Sequence, residues 1–258
     1  MKKSVVISGV IALMVALLGA VVHAAFIEGD DNANVLIGKD DDNTANTTIQ
    51  PPGTVANQSL NNTDVIDGKG GPDILIGLLG NDVLRGGQGD DILIGGTEQG
   101  TTPNSDIIYG EDGNDVNIWA PGDGSDAFIG GRGIHDAQVF GVIDRMNNVP
   151  ILTPVASGRH KKTGVPTAEV TLSPGFCTLE SVDPAEFGFS FLVRFFVRAT
   201  GNLAVTIRVT DDVEQVFCTR QAGGAITFAD LTADDPQFVE VSLAEVEQLN
   251  SIVAQIIR

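Results

Sequence analysis

The sequence predicts an all-β protein in two parts: a roll of short parallel strands over about residues 25–140, then a small antiparallel β-sandwich with a C-terminal helix over 141–258. Three observations carry this expectation. A nine-residue period in "GGPDILIGLLGNDVLRGGQGDDILIGG" (residues 70–96) returns an aspartate at Asp73, Asp82 and Asp91. After Phe140 the Gly-Asp period stops, and β-branched and aromatic runs take over. At the end of the chain, Leu243, Val246, Leu249, Ile252, Val253 and Ile256 fall at helical spacing behind a Ser-x-x-Glu capping box, Ser242 and Glu245.

Four nonapeptides share one frame: GKGGPDILI (68–76), GLLGNDVLR (77–85), GGQGDDILI (86–94) and GEDGNDVNI (110–118). Looser copies extend the array. GDDNANVLI (29–37) puts Asn34 in the carboxylate place, Asp64 opens the contiguous block, Asp106 follows a longer turn, and Asp126 ends an 11-residue unit. GGRGIHDAQVF (130–140) carries Asp136 with one residue too many, as terminal units of a repeat stack often do. Leu78 and Leu79 stand at glycine places and Asn117 at a core place, which disturbs the local regularity. The polar stretch 39–63 reads as a flexible insertion with little order of its own.

Each nonapeptide divides into a six-residue turn and a three-residue strand. Glycines at the first, second and fourth places, as in Gly86, Gly87 and Gly89, admit positive φ and let the turn aim carbonyls inward. The sixth residue, an aspartate, closes the turn, and the eighth (Leu75, Leu84, Leu93, Ile108) points into a shared core. Two nonapeptides complete one coil, so turns stack along two edges. With alternating sides, Asp73, Asp91, Asp115 and Asp136 line one edge, and Asp64, Asp82, Asp106 and Asp126 the other. A hard cation takes 6–8 oxygens at about 2.3–2.6 Å, which stacked carbonyls and carboxylates supply. The other reading of a Gly-Asp-rich stretch, a disordered acidic linker, is opposed by the aliphatic triplets. Outward places such as Ile74, Ile76, Ile92 and Ile94 are also apolar, so one face of the roll is expected to pack on the second part or on another molecule.

The frame GGxGxDxUx, closest in "GGQGDDILIGG", resembles the hemolysin-type calcium-binding (RTX) repeat over about residues 64–136. The resemblance implies a right-handed parallel β-roll with Ca2+ bound between coils. Its candidate metal-site residues here are Asp64, Asp73, Asp82, Gly86, Gly87, Gly89, Asp90, Asp91, Asp106, Asp115, Asp126 and Asp136.

The second part reads as strands in "FGFSFLVRFFVRA" (187–199), "LAVTIRVT" (203–210), "VEQVFCTR" (213–220) and "AITFADL" (225–231). Two cysteines, Cys177 and Cys218, suggest one disulfide in an oxidising compartment; two buried unpaired thiols are the alternative. Lys2 and Lys3, an apolar run over 5–22 and a V-H-A ending at Ala24 read as a cleaved export signal over 1–24, with an uncleaved anchor as the alternative. That signal implies a secreted, cell-surface or periplasmic protein with no membrane insertion after cleavage. RTX relatives exported by the type I route usually lack such a signal, so the chain departs from them here.

The net charge of -19 disfavours nucleic acid and anionic membranes as partners. No H-E-x-x-H and no G-x-S-x-G occurs, His135 and His160 sit in a repeat turn and a basic loop, and the doublets Asp211-Asp212 and Asp234-Asp235 fall where turns are expected. The sequence thus points to a non-enzymatic calcium-ion-binding protein whose folding is coupled to external calcium. A cell-surface glycan or protein recognised through the second part, as in an adhesin, is the alternative; an unrecognised hydrolase ranks last.

Overall fold

A computed structural model describes residues 25–38, 54–56, 64–78, 80–96, 105–143, 145–146, 149–150, 152–153, 167–168, 170–172, 175–220 and 225–257. The expected export signal, most of the 39–63 insertion and His160 lie outside the described residues.

Short strands follow one another at the repeat spacing: β1 (Ala25–Glu28), β2 (Val35–Ile37), β3 (Thr54–Ala56), β4 (Asp64–Asp67), β5 (Ile74–Leu78), β6 (Val83–Gln88), β7 (Ile92–Gly96), β8 (Ile107–Asp112), β9 (Val116–Trp119), β10 (Ala127–Arg132) and β11 (Ala137–Ile143). They deal alternately into two parallel sheets. One orders β1-β4-β6-β8-β10, the other β3-β2-β5-β7-β9-β11. Register follows the nonapeptide, with Leu75 opposite Leu93 and Leu84 opposite Ile108. Asn117 keeps this register opposite Leu93, and its Nδ2 donates to Gln138 Oε1 at 2.7 Å inside the core. A polar residue at the core place therefore leaves the stack regular.

Four two-residue strands, β12 (Arg145–Met146), β13 (Val149–Pro150), β14 (Leu152–Thr153) and β15 (Thr167–Ala168), form two small ladders. Beyond them β16 (Val170–Leu172) runs antiparallel to β11. The remaining strands are β17 (Gly175–Ser181), β18 (Phe191–Val197), β19 (Leu203–Val209), β20 (Gln215–Arg220), β21 (Ile226–Asp230) and β22 (Val239–Val241).

These strands are antiparallel among themselves, as expected, but they do not stand apart from the roll. β19 pairs in parallel with β10, and β20 in parallel with β11. The sandwich expected after residue 140 thus prolongs the roll's own two sheets. The reason is physical: a parallel roll ends in two open ladders of N–H and C=O groups, and the β19–β20 connection closes both at once.

Two apolar clusters result. Between the sheets lie the eighth-place residues Ile66, Leu75, Leu84, Leu93 and Ile108, continued by Phe128, Trp119, Phe140 and Phe195. The second cluster covers the outer face of the β5-β7-β9-β11 sheet. Ile74, Ile76, Ile92 and Ile94 are fully buried there, in one cluster with Val246, Ile252, Val253 and Ile256. The ninth place separates the two faces: it is Ile76, Ile94 and Ile118 in this sheet, but Asp67, Arg85 and Tyr109 in the other, where only β10 keeps an isoleucine, the half-buried Ile129.

The C-terminal segment is two helices rather than one, α2 (Leu243–Leu249) and α3 (Ser251–Ile256), after the single-turn α1 (Pro184–Phe187). The capping box at Ser242 and Glu245 is formed. The break falls at Asn250, whose Oδ1 accepts from the N–H groups of Ile252 and Val253 and whose Nδ2 donates to His135 O and Gln215 Oε1. The two cap bonds accepted by Oδ1 need extended backbone at Asn250, which a continuous helix denies. Among the described residues no helix is long and apolar enough to cross a membrane.

Cys177 and Cys218 form a disulfide across a sequence separation of 41, joining β17 in one sheet to β20 in the other. Replacing both by alanine is expected to lower unfolding stability by about 4 kcal/mol from loop-closure entropy, measured by urea denaturation. A loss under about 1 kcal/mol would mean that the sheets hold together without the bridge.

Candidate metal centre

The turns repeat one backbone shape. The second place is left-handed in five of them, at Lys69 (φ 76), Leu78 (φ 76), Gly87 (φ 105), Glu111 (φ 75) and Gly131 (φ 112). Leu78, at a glycine place, therefore pays the strain of that region and keeps the turn. The fourth place tolerates no side chain at all: a Cβ on Gly89 would lie 2.3 Å from Gly71 O, and one on Gly113 only 1.5 Å from Gly89 O.

Stacked turns bring the aspartates into two rows, divided as the alternation predicts. Along one edge Asn34 N donates to Asp73 Oδ1 (2.6 Å), Asp73 N to Asp91 Oδ1 (2.7 Å), Asp91 N to Asp115 Oδ1 (2.8 Å) and Asp115 N to Asp136 Oδ1 (2.6 Å). Along the other, Asp64 N donates to Asp82 Oδ1 (2.6 Å), Asp82 N to Asp106 Oδ1 (2.7 Å) and Asp106 N to Asp126 Oδ1 (2.9 Å). All eight aspartates are buried. The additional residue of the 130–140 unit is absorbed between Gly133 and Asp136, where Ile134 is 70% exposed, so Asp136 keeps its place in the row.

One carboxylate oxygen thus ties each turn to the preceding coil. The other, Oδ2 of Asp73, Asp91, Asp106, Asp115 and Asp136, is buried and accepts no hydrogen bond. It faces the first glycine of its own turn. The point that a Cβ on Gly86 would occupy is 2.3 Å from Asp91 Oδ2 and 2.7 Å from Gly110 O of the next coil. At Gly110 the same point meets Asp115 Oδ2 at 2.4 Å and Gly130 O at 2.5 Å, and at Gly68 it meets Asp73 Oδ2 at 2.5 Å and Gly86 O at 2.3 Å.

Burial raises the pKa of these carboxyls: Asp73 to about 8, Asp115 to about 9 and Asp136 to about 7. Asp91 and Asp106 are also pushed well up, first by burial and then by neighbouring carboxylates, Asp73 for the former and Asp126 with Asp82 for the latter.

A buried carboxylate oxygen with no donor, beside a carbonyl oxygen and a glycine without side chain, is a donor set for a hard cation. The residues present fit calcium. Among the described residues no three His, Cys, Asp or Glu side chains group to hold a metal; at Gly68, Gly86 and Gly110 the paired oxygens are one carboxylate and one carbonyl.

Of the predicted site residues, the eight aspartates form the two buried rows, Gly86 lies against Asp91 Oδ2, and Gly87 and Gly89 shape the turn. Asp90 stands outside the rows: its Oδ1 accepts from Asn114 N and Nδ2 on the next coil. His135 lies near Gln215, 3.4 Å from its Nε2, and its carbonyl accepts from Asn250. Two residues that the period did not reveal, Asp212 and Glu214, continue the first row. Asp136 N donates to Glu214 Oε2 at 2.7 Å, and Gly130 N to Asp212 Oδ1 at 3.1 Å. Their signal was a carboxylate just before the aliphatic residues of "DDVEQVF", without the glycines that mark other turns.

The carboxyl shifts set a pH dependence. A carboxyl whose folded pKa exceeds its unfolded value of about 4 binds more protons folded than unfolded in between, so cation-free stability falls as pH rises through that window. In cation-free buffer the urea midpoint is therefore expected to fall from pH 5 to pH 9, and to fall less in Asp91→Asn. A rising midpoint would contradict buried, unpaired carboxylates.

The family model for the RTX calcium-binding nonapeptide repeat matches four copies here, over residues 61–101 and 102–116. No curated protein and no solved structure matches the chain. Residues 61–116 thus match the RTX calcium-binding nonapeptide repeat, and the alternating stacked turns of this region are built as a β-roll.

Proposed function

We propose that the protein is an exported, non-enzymatic calcium-binding protein, with a structural or surface role, whose folding is coupled to calcium outside the cell. The observation that carries this reading is the set of buried Oδ2 atoms on Asp73, Asp91, Asp106, Asp115 and Asp136. Calcium bound there would supply the positive charge that these oxygens lack. Asp91 with Gly110 O, Asp115 with Gly130 O and Asp73 with Gly86 O are pairs that would hold it.

The rest of the site follows from the chain's own groups. Without a cation, buried carboxylates either take up protons or repel one another, and glycine-rich turns lose much backbone entropy on ordering. The aliphatic core alone must then offset both. With the charge balanced, each Asp Oδ1 fixes the register of the adjoining coil, so ion uptake and coil stacking become one event. Export is supported by the apolar run over residues 5–22 and by the disulfide, which suits an oxidising compartment. The non-enzymatic reading is supported by the absence of catalytic motifs in the sequence and by the turn location of His135.

Circular dichroism during calcium titration is expected to gain β signal by about 10 mM, and native mass spectrometry to count about four to six ions. No gain of signal, or at most one ion, would refute the reading. The first unit offers a converse test. Asn34 stands at the aspartate place, and the point that a Cβ on Gly29 would occupy lies 3.1 Å from its Nδ2 and 2.4 Å from Gly68 O, so an N–H group that donates to Asn32 O takes the position of the buried carboxylate oxygen. Asn34→Asp is expected to add one calcium; an unchanged count would show that the carboxylate oxygen is not what recruits the ion.

A further inference from the structure

The two aspartate rows end differently where the roll meets the antiparallel strands. Beyond Asp126, the row meets Arg208, which lies in register with Ala127 and whose Nη2 donates to Ser125 O at 3.0 Å. A fixed positive charge thus closes that edge. Beyond Asp136, the other row meets the β19–β20 turn, residues 210–214, which brings Asp212 and Glu214.

This turn repeats the contacts of a nonapeptide turn without its sequence. Glu214 Oε2 accepts from Asp136 N, as each aspartate of the row accepts from the one before it. Glu214 N and Gln215 N both donate to Asp136 O, at 3.1 and 3.0 Å. The point that a Cβ on Gly130 would occupy lies 2.1 Å from Asp212 O and 2.8 Å from Asp136 Oδ2, the same oxygen pair as at Gly86 and Gly110. Asp136 is fully buried, and its Oδ2 accepts no hydrogen bond. Asp212 Oδ1 is already engaged by Gly130 N and the Thr210 hydroxyl, so the side chain of Asp212 braces the turn while its carbonyl faces the glycine.

We infer that the last turn of the roll and the β19–β20 turn together form a further calcium site, with Asp136 Oδ2 and Asp212 O as donors and Glu214 contributing negative charge. The matched repeats end at residue 116, so the whole of this site lies beyond them. Its consequence is that calcium joins the roll to the antiparallel strands, and both parts answer to the same ion. The inference rests on the calcium reading above.

The test counts ions on the full chain by native mass spectrometry and follows affinity by calcium titration. Asp136→Asn keeps an acceptor for Asp115 N but removes the charge, and is expected to bind one ion fewer. Glu214→Gln keeps an acceptor for Asp136 N and is expected to weaken one site about tenfold while leaving the others unchanged. Wild-type counts and affinities in both variants would overturn the inference. If Asp136→Asn fails to gain β signal at saturating calcium, Glu214→Gln decides: one weakened site supports the shared site, and an unchanged titration overturns it. A wild-type chain that takes up no calcium sinks the calcium reading itself, whereas a chain that fills its repeats but is indifferent to both substitutions sinks only this site.

Discussion

The stacking of the roll depends on a divided carboxylate, one to each turn and two to each coil. Its Oδ1 accepts a backbone N–H from the preceding coil, and its Oδ2 is turned into its own turn, beside a glycine and a carbonyl. The first bond sets the vertical register of the strands. The second oxygen leaves a buried negative charge that burial alone would neutralise by protonation. The glycines follow from the same constraint, because a side chain on Gly86 or Gly110 would fill the space that the two oxygens face. The nine-residue period is therefore the spacing at which a carboxylate can serve two coils.

The two sheets meet different surroundings. On one, ninth-place isoleucines are buried in a cluster with the C-terminal helices; on the other, ninth-place polar residues face water. There Arg85 pairs with Glu111 on the next coil at 2.9 Å and stands 4.7 Å from the Tyr109 ring centroid, and Arg132 pairs with Asp112 at 2.6 Å. Exposed pairs of this kind contribute at most about 1 kcal/mol each. Most of the sheet-to-sheet cohesion thus lies in the inner cluster, extended by Phe140 stacked on Phe195 across the two sheets.

Continuity at the C-terminal end gives the roll its boundary. An open parallel ladder invites pairing with another chain, and β19 and β20 occupy both ladders in register. The disulfide then ties the two sheets beyond that junction. Asn250 fastens the helices to the same region, bonding at once to the carbonyl of His135 in the last repeat and to Gln215 at the start of β20.

The repeat was readable from the chain alone: which residues turn, which point inward, and that Asp73, Asp91, Asp115 and Asp136 fall on one edge and Asp64, Asp82, Asp106 and Asp126 on the other. These are local consequences of six turn residues followed by three strand residues, readable wherever the period holds. The capping box at Ser242 and the Cys177–Cys218 pair were legible for the same reason, since each rests on a short motif or a count. Tertiary structure alone decided how the rows end, why the terminal helix breaks and that the second part shares the roll's sheets. Asp136 meets Glu214 across 78 residues and Asn250 meets His135 across 115, and no periodicity reports a partner at that distance. There the chain is selected by an open edge needing hydrogen bonds, and the turn "DDVEQ", which has no glycine, supplies a carboxylate acceptor as the glycine turns do.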